Sequence, residues 1–258
     1  MRIACISAGK DSVAMLILCL RAGIRFDHIY WVYMRGAEWD ETLEFVRHTL
    51  NPYLDAVYRC VVEIVPSDVS YDDVFYRRRV KGKHVGYIYG FNFVTIKGAC
   101  SYKRDAKIKT LDRLYGKGND IYIGFAANEA DRANSKQYKD DKYNRYHFPL
   151  VEAGITERQC RAICEQYGVL HPFYRSAQRM GCWQCACQPL GQLRNLYFNY
   201  PKKWEQLQRW QDDCAHDFKP GGVRIEHLAQ RFSAEGMQLS MAGQQKSPHK
   251  AGRKEVKP

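Results

Sequence analysis

A short apolar strand that leads through a turn into a buried helix constrains the fold of this 258-residue chain more than any other feature. Residues 2–6 read Arg-Ile-Ala-Cys-Ile, and the turn Ser7-Ala8-Gly9-Lys10 follows them directly. Residues 11–22 are helical in composition and apolar nearly all round, which is typical of a helix packed on a buried sheet. This strand–turn–helix unit predicts a parallel sheet covered by helices.

Strands and helices alternate along the following residues, as a doubly wound parallel α/β fold requires. The apolar runs predict strands over residues 28–34, 57–65 and 120–126. Helical patterns cover residues 40–50, 105–115, 156–167 and 204–213, with Asn51-Pro52 predicted to end the first of them and Thr156 to cap the third. Residues 128–147 are strongly polar and predict a mobile loop.

The net charge of +12, from 40 Lys and Arg against 28 Asp and Glu, indicates a polyanionic partner such as a nucleotide, a nucleic acid or a phosphorylated substrate. A role in solubility alone is the alternative. The longest apolar run, Val13–Leu20, is far shorter than the ~20 residues that a membrane span needs. No signal peptide is visible, since Lys10 and Asp11 interrupt the first apolar stretch, so we expect a cytoplasmic protein with no membrane contact.

The turn between the first strand and the first helix has the chemistry of a phosphate site. Small residues let the backbone approach a ligand closely, and the helix behind them presents free N–H groups and the positive end of its dipole. Ser7 and Ser12 add hydroxyl groups, and Lys10 adds a mobile positive charge. The spacing is not that of a Walker loop, which needs Gly-x4-Gly-Lys-Ser/Thr.

Ser7-Ala8-Gly9-Lys10-Asp11-Ser12 resembles the PP-loop, Ser-Gly-Gly-Lys-Asp-Ser, of the ATP pyrophosphatase and phosphoadenosine phosphosulfate (PAPS) reductase superfamily, the adenine nucleotide alpha hydrolases. Ala8 replaces the first Gly. Three more segments resemble the family's motifs in order, so that the resemblance covers about residues 3–215. Residues 37–45 resemble Glu-Phe-Pro-Glu-Thr, residues 124–132 resemble Gly-Ile-Arg-x-x-Glu-Ser-x-x-Arg, and residues 148–157 resemble Tyr-Pro-Leu…Trp-x-x-Thr.

The resemblance implies a Rossmann-type layering and an enzyme that binds ATP or an adenylyl sulfate with Mg²⁺. Many members cleave between the α and β phosphates and adenylate an acceptor oxygen. Lys10 would then stabilise the leaving pyrophosphate, and Asp11 would either bind Mg²⁺ or simply favour the helix start. The resemblance implies a nucleotide site of Ser7, Ala8, Gly9, Lys10, Ser12, Glu38 and Gly124, with Lys10, Asp11, Glu129 and Arg132 as catalytic residues.

Three of the ten cysteines form the pattern Cys182-x2-Cys185-x-Cys187, and thiolates two residues apart can hold one metal from a turn. Cys100 is a candidate fourth ligand, because some PAPS-reductase-like proteins hold a four-iron cluster on a distant cysteine pattern plus Cys-x2-Cys. Four thiolates suit a [4Fe–4S] cluster or, alternatively, structural zinc. The other interpretation is a set of thiols in a tight turn without metal.

Cys214 is the nearest match to the mobile Glu-Cys-Gly-x-His nucleophile of true PAPS reductases. Its context, Asp213-Cys214-Ala215-His216, is one residue short and lies at the end of a predicted helix. We therefore interpret Cys214 as a partly buried helix cysteine, which counts against thiol-dependent reduction of a sulfonucleotide.

Residues 71–93 combine Arg77, Arg78, Arg79, Lys81 and Lys83 with seven aromatic residues. Basic side chains interleaved with aromatic ones suit a nucleic-acid strand, through phosphate pairing and base stacking. A solvated face over an ordinary aromatic cluster is the alternative.

We expect three regions: a PP-loop nucleotide-binding α/β domain over residues 1–175, a Cys-rich helical region over 176–235 packed on it, and a basic disordered tail over 236–258. The leading hypothesis is a PP-loop enzyme that activates an acceptor in sulfur transfer or nucleic-acid modification, with a sulfur-donor protein as a candidate partner. The alternatives are a sulfonucleotide reductase and a basic nucleic-acid-binding module with structural zinc and an inert PP-loop. The acceptor and the formation of a homodimer stay open.

Overall fold

The computed structural model describes residues 1–91, 100–175, 177 and 179–244. The chain divides into two compact units, Met1–Cys185 and Ala186–Pro258. The division therefore falls ten residues after the expected domain boundary at residue 175, and the tight turn that carries Cys182 and Cys185 belongs to the first unit. Each unit is described by itself below.

The first unit contains a five-stranded sheet in which every neighbouring pair is parallel. In the order β3-β2-β1-β4-β5, the strands are β1 (Arg2–Ile6), β2 (His28–Tyr33), β3 (Glu63–Pro66), β4 (Asp120–Ile123) and β5 (Arg145–His147). The chain builds outward in one direction from β1 to β3 and then returns to the other side with β4. A parallel α/β sheet of this kind confirms the predicted fold class, and its order reverses between β1 and β4, where ligands bind in such sheets.

Nine α-helices are described in the first unit, several of them only one turn long. They are α1 (Lys10–Arg21), α2 (Asp40–Phe45), α3 (Asn51–Tyr58), α4 (Tyr71–Phe75), α5 (Lys109–Tyr115), α6 (Ala130–Ala133), α7 (Lys136–Lys139), α8 (Pro149–Glu152) and α9 (Glu157–Gln166). Single π-helical turns, Val46–Leu50 and Lys103–Ile108, precede α3 and α5.

Helix α1 lies at the centre of the hydrophobic core. Met15, Leu16 and Ile17 are completely buried, as the apolar composition of this helix predicts. Helix α9 packs against α1, and its start is held by a capping box in which the Thr156 hydroxyl accepts a hydrogen bond from the Gln159 backbone N–H. The predicted cap at Thr156 is thus confirmed.

The chain after β2 departs from the predicted pattern. Helical structure continues from Asp40 through α3 to Tyr58, so the prediction that Asn51-Pro52 ends the helix is wrong. Pro52 follows directly on the π-helical turn Val46–Leu50, so its missing N–H falls where the regular α-helical hydrogen-bond pattern is already interrupted. The third strand is correspondingly shorter than predicted, and Pro66 is tolerated in β3 because this strand lies at the edge of the sheet.

The polar segment over residues 128–147 is more ordered than the predicted mobile loop. It contains α6, α7 and the edge strand β5, which pairs with β4 through Asp120↔Arg145 and Tyr122↔His147. Rings of Tyr138 and Phe148 pack at 5.3 Å beneath this segment. Three residues are too few to show a strand period in the sequence, and the predicted fold therefore lacked β5.

The second unit contains three helices, α10 (Leu190–Asn199), α11 (Pro201–Asp212) and α12 (Ile225–Gln244). Trp204 packs edge-on against Tyr197 at 5.1 Å and contacts Phe232 at 6.0 Å, which gives the three helices a shared aromatic core. Helix α12 extends through residues 236–244 of the segment predicted to be a disordered tail, and residues 245–258 lie outside the described ones. None of the helices in the described part of the chain is both long and apolar enough to cross a membrane.

Candidate functional site

A cavity of about 410 Å³ opens at the carboxyl ends of β1, β2 and β4, and this volume is typical of small-molecule sites. Segments far apart in the sequence meet there because parallel strands bring their following loops to one edge of the sheet. The cavity is lined by the loop after β1, by Glu38 after β2, by Gly124, Glu129 and Arg132 after β4, and by Cys182. Every predicted nucleotide-site residue except Ala8 lines this cavity, as do all four predicted catalytic residues.

The loop Ser7–Ser12 is held in shape by its own hydroxyl groups. The Ser7 backbone N–H donates to Ser12 Oγ at 3.0 Å, and Ser12 Oγ donates to the Gly9 carbonyl oxygen at 2.9 Å. Ala8 adopts a left-handed conformation with φ of 57° and is completely buried beneath the cavity. Gly9 precedes α1 and carries no side-chain cap, and the Tyr174 hydroxyl accepts from the first helical N–H, that of Lys10, at 3.2 Å. Asp11 and Ser12, the next residues of this 12-residue helix, line the cavity, where N–H groups at a helix start can receive an anion.

Lys10 lies inside the cavity rather than in solvent. Its Nζ donates to Glu157 Oε2 at 2.8 Å and to Asp11 Oδ2 at 3.0 Å. Burial alone would lower the pKa of Lys10, but the hydrogen bond to Glu157 and the charge of Asp11 outweigh burial and raise it. The ammonium group therefore stays charged and is placed where the phosphates of a ligand could replace a carboxylate.

Glu157 is a functional candidate that the sequence prediction did not include, although its segment was noted. The Lys10 hydrogen bond lowers the pKa of Glu157. Asn128 holds this carboxylate from the other side, since Asn128 Nδ2 donates to Glu157 Oε1 at 3.0 Å and Asn128 Oδ1 accepts from the Glu157 backbone N–H at 3.1 Å. Burial raises the pKa of Asp11, against the opposing charge of Lys10.

Gly124 brings β4 against the start of α1. A Cβ atom at Gly124 would lie 2.6 Å from Ser12 Cα and 2.9 Å from the Asp11 carbonyl oxygen, which are backbone atoms that cannot rotate away. Beyond it, Arg132 Nη1 pairs with Glu129 Oε1 at 2.6 Å, and the Arg132 guanidinium lies 4.2 Å from the centre of the Phe125 ring. The predicted residues Glu129 and Arg132 thus reach the cavity as an ion pair.

The cysteine turn is fixed to the loop that follows β2. Trp39 Nε1 donates to the Gly181 carbonyl oxygen at 2.8 Å, and the Trp183 backbone N–H donates to the Ala37 carbonyl oxygen at 3.1 Å. These bonds place Cys182 at the wall of the cavity. Burial raises the pKa of Glu38 to about 7, and the nearby charge of Lys107 opposes that rise.

Three of the four predicted metal ligands lie around one buried tyrosine. Burial raises the pKa of Tyr71 well above its ordinary value, and any negative charge on the nearby thiols of Cys182, Cys185 and Cys100 would raise it further. The pKa of Cys182 is likewise raised, first by burial and then by Glu38, Cys185 and Cys100. In the described part of the chain, no three His, Cys, Asp or Glu side chains are spaced to hold a metal ion.

Cys187 and Cys214 lie in the second unit and differ in exposure. Cys187 is exposed. Cys214 is only 1% exposed, and its Sγ accepts a hydrogen bond from the His216 backbone N–H at 3.4 Å. The structure thus buries Cys214 more completely than the predicted partly buried helix cysteine and places it just past the end of α11.

Two lysines and a tyrosine complete the cavity wall and were not predicted as site residues. Lys103 and Lys107 are four residues apart in the π-helical turn Lys103–Ile108, and their helical spacing after Cys100 was the available signal. Burial lowers the pKa of Lys103, and the charges of Lys107 and Arg132 lower it further. The Tyr174 hydroxyl accepts from the Lys10 backbone N–H at 3.2 Å, a contact across 164 residues that no local pattern reveals.

Comparison with known proteins adds little to this geometry. No model of a protein family matches the chain, and no curated protein matches it. Among solved structures, the chain is similar to the U34-tRNA thiolase NcsA from Methanococcus maripaludis with its [4Fe-4S] cluster, at 13% identity and a TM-score of 0.40, over 91% of this chain and 71% of that one. Values this low do not indicate a shared function.

Proposed function

We propose that this protein is a PP-loop enzyme that binds ATP or an adenylyl sulfate and cleaves it at the α-phosphate to activate an acceptor, in sulfur transfer or nucleic-acid modification. One observation carries the proposal: the phosphate-type loop Ser7–Ser12 and the thiol of Cys182 line the same cavity. A nucleotide site alone would not need a cysteine turn held by two hydrogen bonds at its wall.

The loop would bind phosphate oxygens through its hydroxyl groups and the N–H groups at the start of α1. Acceptor attack on the α-phosphorus would form a new bond to that atom and break the anhydride bond to the β-phosphate or sulfate, which leaves with the electron pair. Lys10 supports this step because its charged Nζ already lies between two carboxylates, and an incoming phosphate would replace Glu157 as its partner. Asp11 is the residue proposed to hold Mg²⁺, which would neutralise phosphate charge.

The proposed metal centre on Cys100, Cys182 and Cys185 rests on their sequence pattern and on the position of Cys182 at the wall of the cavity. A [4Fe–4S] cluster would supply sulfur or redox chemistry at the wall of the nucleotide cavity, whereas zinc would be structural. Cys187, the fourth predicted ligand, stays a prediction from its sequence spacing.

The two alternative functions have less support from the site. A sulfonucleotide reductase would need a mobile thiol, whereas Cys214 is buried. A nucleic-acid-binding module with an inert loop would not need Lys10 to be held inside a cavity by Glu157.

Nucleotide binding tests the proposal. Equilibrium titration with ATP and with an adenylyl sulfate should show binding that Lys10→Ala weakens at least tenfold, while the exposed Lys202→Ala on α11 leaves it unchanged. Equal affinity of the two variants would contradict the proposal. The phosphorus product then identifies the cleaved bond, because pyrophosphate from ATP indicates cleavage between the α and β phosphates, whereas ADP with orthophosphate would contradict the proposal.

Anaerobic purification followed by iron, zinc and sulfide analysis tests the metal centre. We expect bound metal that Cys182→Ala removes and that the buried but distant Cys19→Ala retains. Four irons with sulfide per chain would indicate the cluster, one zinc would indicate a structural site, and no metal in the wild-type protein would contradict the ligand assignment.

A further inference from the structure

Residues 76–90, the basic arm, form an exposed strip of one charge sign. Between Asp73 and Asp105 the chain contains eight Lys or Arg residues and no Asp or Glu, and five of the eight lie in the arm. A solvated surface normally mixes both signs. A stretch of more than thirty residues without a carboxylate therefore indicates selection for contact with negative charge.

The arm is a turn of defined shape. Two antiparallel segments pair through Arg78↔Ile88, the Arg79 backbone N–H donates to the Tyr87 carbonyl oxygen at 2.9 Å, and the Tyr89 N–H donates to the Arg77 carbonyl oxygen at 2.8 Å. Gly82 and Gly86 adopt positive φ angles of 86° and 85° at the tip. The sequence at the tip thus suits a hairpin that projects its side chains outward.

The base of the arm is firmly attached. Arg77 Nη1 pairs with Asp105 Oδ2 at 2.8 Å, and the Asp105 side chain is only 3% exposed and also pairs with Arg104 and Lys109. Phe75 and Phe91 pack edge-on at 5.1 Å where the arm begins and ends. The Arg79 guanidinium lies 5.4 Å from the centre of the Tyr89 ring. The cations near the base therefore stabilise the arm itself.

The tip carries exposed side chains, and the Tyr87 ring contacts only its neighbour His84, at 5.7 Å, among the ring pairs of the described residues. Lys81 and Lys83 are exposed. Val80 is 82% exposed and Tyr87 is 56% exposed, which is unusual for large apolar groups on an ordered hairpin. Lysines beside an exposed aromatic ring fit a strand of phosphates and bases, because the ammonium groups neutralise phosphates and the ring stacks on a base.

The structure places the arm next to the wall of the cavity. Asp105, which holds Arg77, lies in the π-helical turn Lys103–Ile108, and Lys103 and Lys107 of the same turn line the cavity. Lys103 and Lys107 thus place two further positive charges at the cavity, on the same turn that anchors the arm.

We propose that the basic arm is a binding surface for single-stranded nucleic acid, which it holds beside the cavity through Lys81, Lys83 and the Tyr87 ring. That this strand is the acceptor rests on the proposed function; the binding itself does not. RNA and DNA share this chemistry, and the experiment separates them.

The test is fluorescence anisotropy with a labelled 20-nucleotide strand, as RNA and as DNA of the same sequence, at several salt concentrations. Lys81→Ala combined with Lys83→Ala should lower affinity at least fivefold. The double variant should also reduce the slope of log Kd against log salt by about 1.4, because each lost phosphate contact removes ~0.7 from that slope. Tyr87→Ala should lower affinity about fivefold or more with little change in that slope. Lys202→Ala combined with Lys203→Ala on α11 is the matched control and should bind as the wild type does.

Thermal unfolding of each variant ensures that a loss of binding does not reflect a loss of fold, and the arm's exposed positions make unchanged melting temperatures the expected result. Wild-type affinity in both arm variants would overturn the proposal, as would binding to anionic lipid vesicles in place of either strand. Nucleotide titration of the same samples separates the two claims. Arm-dependent strand binding without nucleotide binding would refute the proposed function alone, and nucleotide binding with arm-independent strand binding would refute the arm alone.

Discussion

Gly124→Ala is expected to disrupt the site through the backbone. The added Cβ would lie 2.6 Å from Ser12 Cα, against 3.4 Å or more in an ordinary contact, so β4 and the start of α1 must separate by about 0.8 Å. Both elements belong to the core, because β4 pairs with β1 and α1 is buried on nearly all sides. The strain cannot be relieved by a side-chain rotation.

Overpacking of this kind costs about 1–3 kcal/mol. At about 2 kcal/mol, the melting temperature should fall by roughly 4–8 °C for a unit of this size. The displaced atoms are those of the loop that we propose to bind phosphate, and a shift near 1 Å in a positioned site can cost about a hundredfold. We therefore expect nucleotide affinity to fall at least tenfold at temperatures where the variant remains folded.

The assay combines thermal unfolding with nucleotide titration at 15 °C, where a moderately destabilised variant stays native. Gly181→Ala is the matched control, because Gly181 lines the same cavity and an added Cβ would meet nothing within 4 Å. It should leave the melting temperature unchanged. A Gly124→Ala protein with the melting temperature of the wild type would refute the packing argument, and normal nucleotide affinity in a destabilised variant would refute the link from packing to the site.

Three further predictions concern stability. Burial lowers the pKa of His171 to about 4, so the unfolded state takes up the proton first as the pH falls through 6.5. Because Glu38, whose pKa burial raises to about 7, changes stability in the opposite direction over the same range, the measurement is a difference between proteins. In urea unfolding, the wild type should lose about 2 kcal/mol more between pH 7 and pH 5 than His171→Leu does. Thr156→Ala should cost about 1 kcal/mol of unfolding free energy through the lost cap, whereas Thr156→Ser should retain it; equal losses would contradict the capping role. Ala8→Gly should change the free energy of unfolding by less than about 1 kcal/mol. Relief of the left-handed conformation stabilises the variant by ~1–2 kcal/mol, whereas the lost methyl group (~0.8 kcal/mol) and the added freedom of the unfolded backbone (~0.5–1 kcal/mol) destabilise it. Ala14→Gly in α1, with no such relief, should cost about 2 kcal/mol.

Local signals in the sequence sufficed for the centre of the fold. The first strand and helix, β2, β4 and the cap at Thr156 were predicted close to their observed bounds, because burial on both sides of a parallel strand leaves a continuous apolar run. The two edge strands of the sheet were harder to predict from the sequence. Strand β3 is only four residues long and begins after a helix that crosses Pro52, and β5 has three residues with one exposed arginine.

The residues of the candidate site were likewise predictable only where the signal lies in contiguous sequence. Ser7–Ser12 was recognisable because its chemistry is contiguous, whereas Glu157 and Tyr174 reach Lys10 only through the packing of α9 and of the segment after it. Lys103 and Lys107 were not predicted as site residues, because the predicted helix began only at residue 105 and rested on apolar spacing, which reports the buried face of a helix and not the charged one. Tertiary contacts of this kind leave no local pattern.

Ala8 and Gly124 show how the surroundings impose the shape of the loop. An alanine in the left-handed region costs about 1–2 kcal/mol, and such a conformation persists only where neighbouring contacts enforce it. Those contacts are present: Ser12 Oγ bonds to the backbone on both sides of Ala8, and Gly124 closes against the same helix turn. These contacts set the backbone path of the loop before any ligand arrives, so a phosphate would have only to replace the Tyr174 hydroxyl as the partner of the Lys10 N–H. A loop with its backbone already in place favours a binding site over an incidental turn.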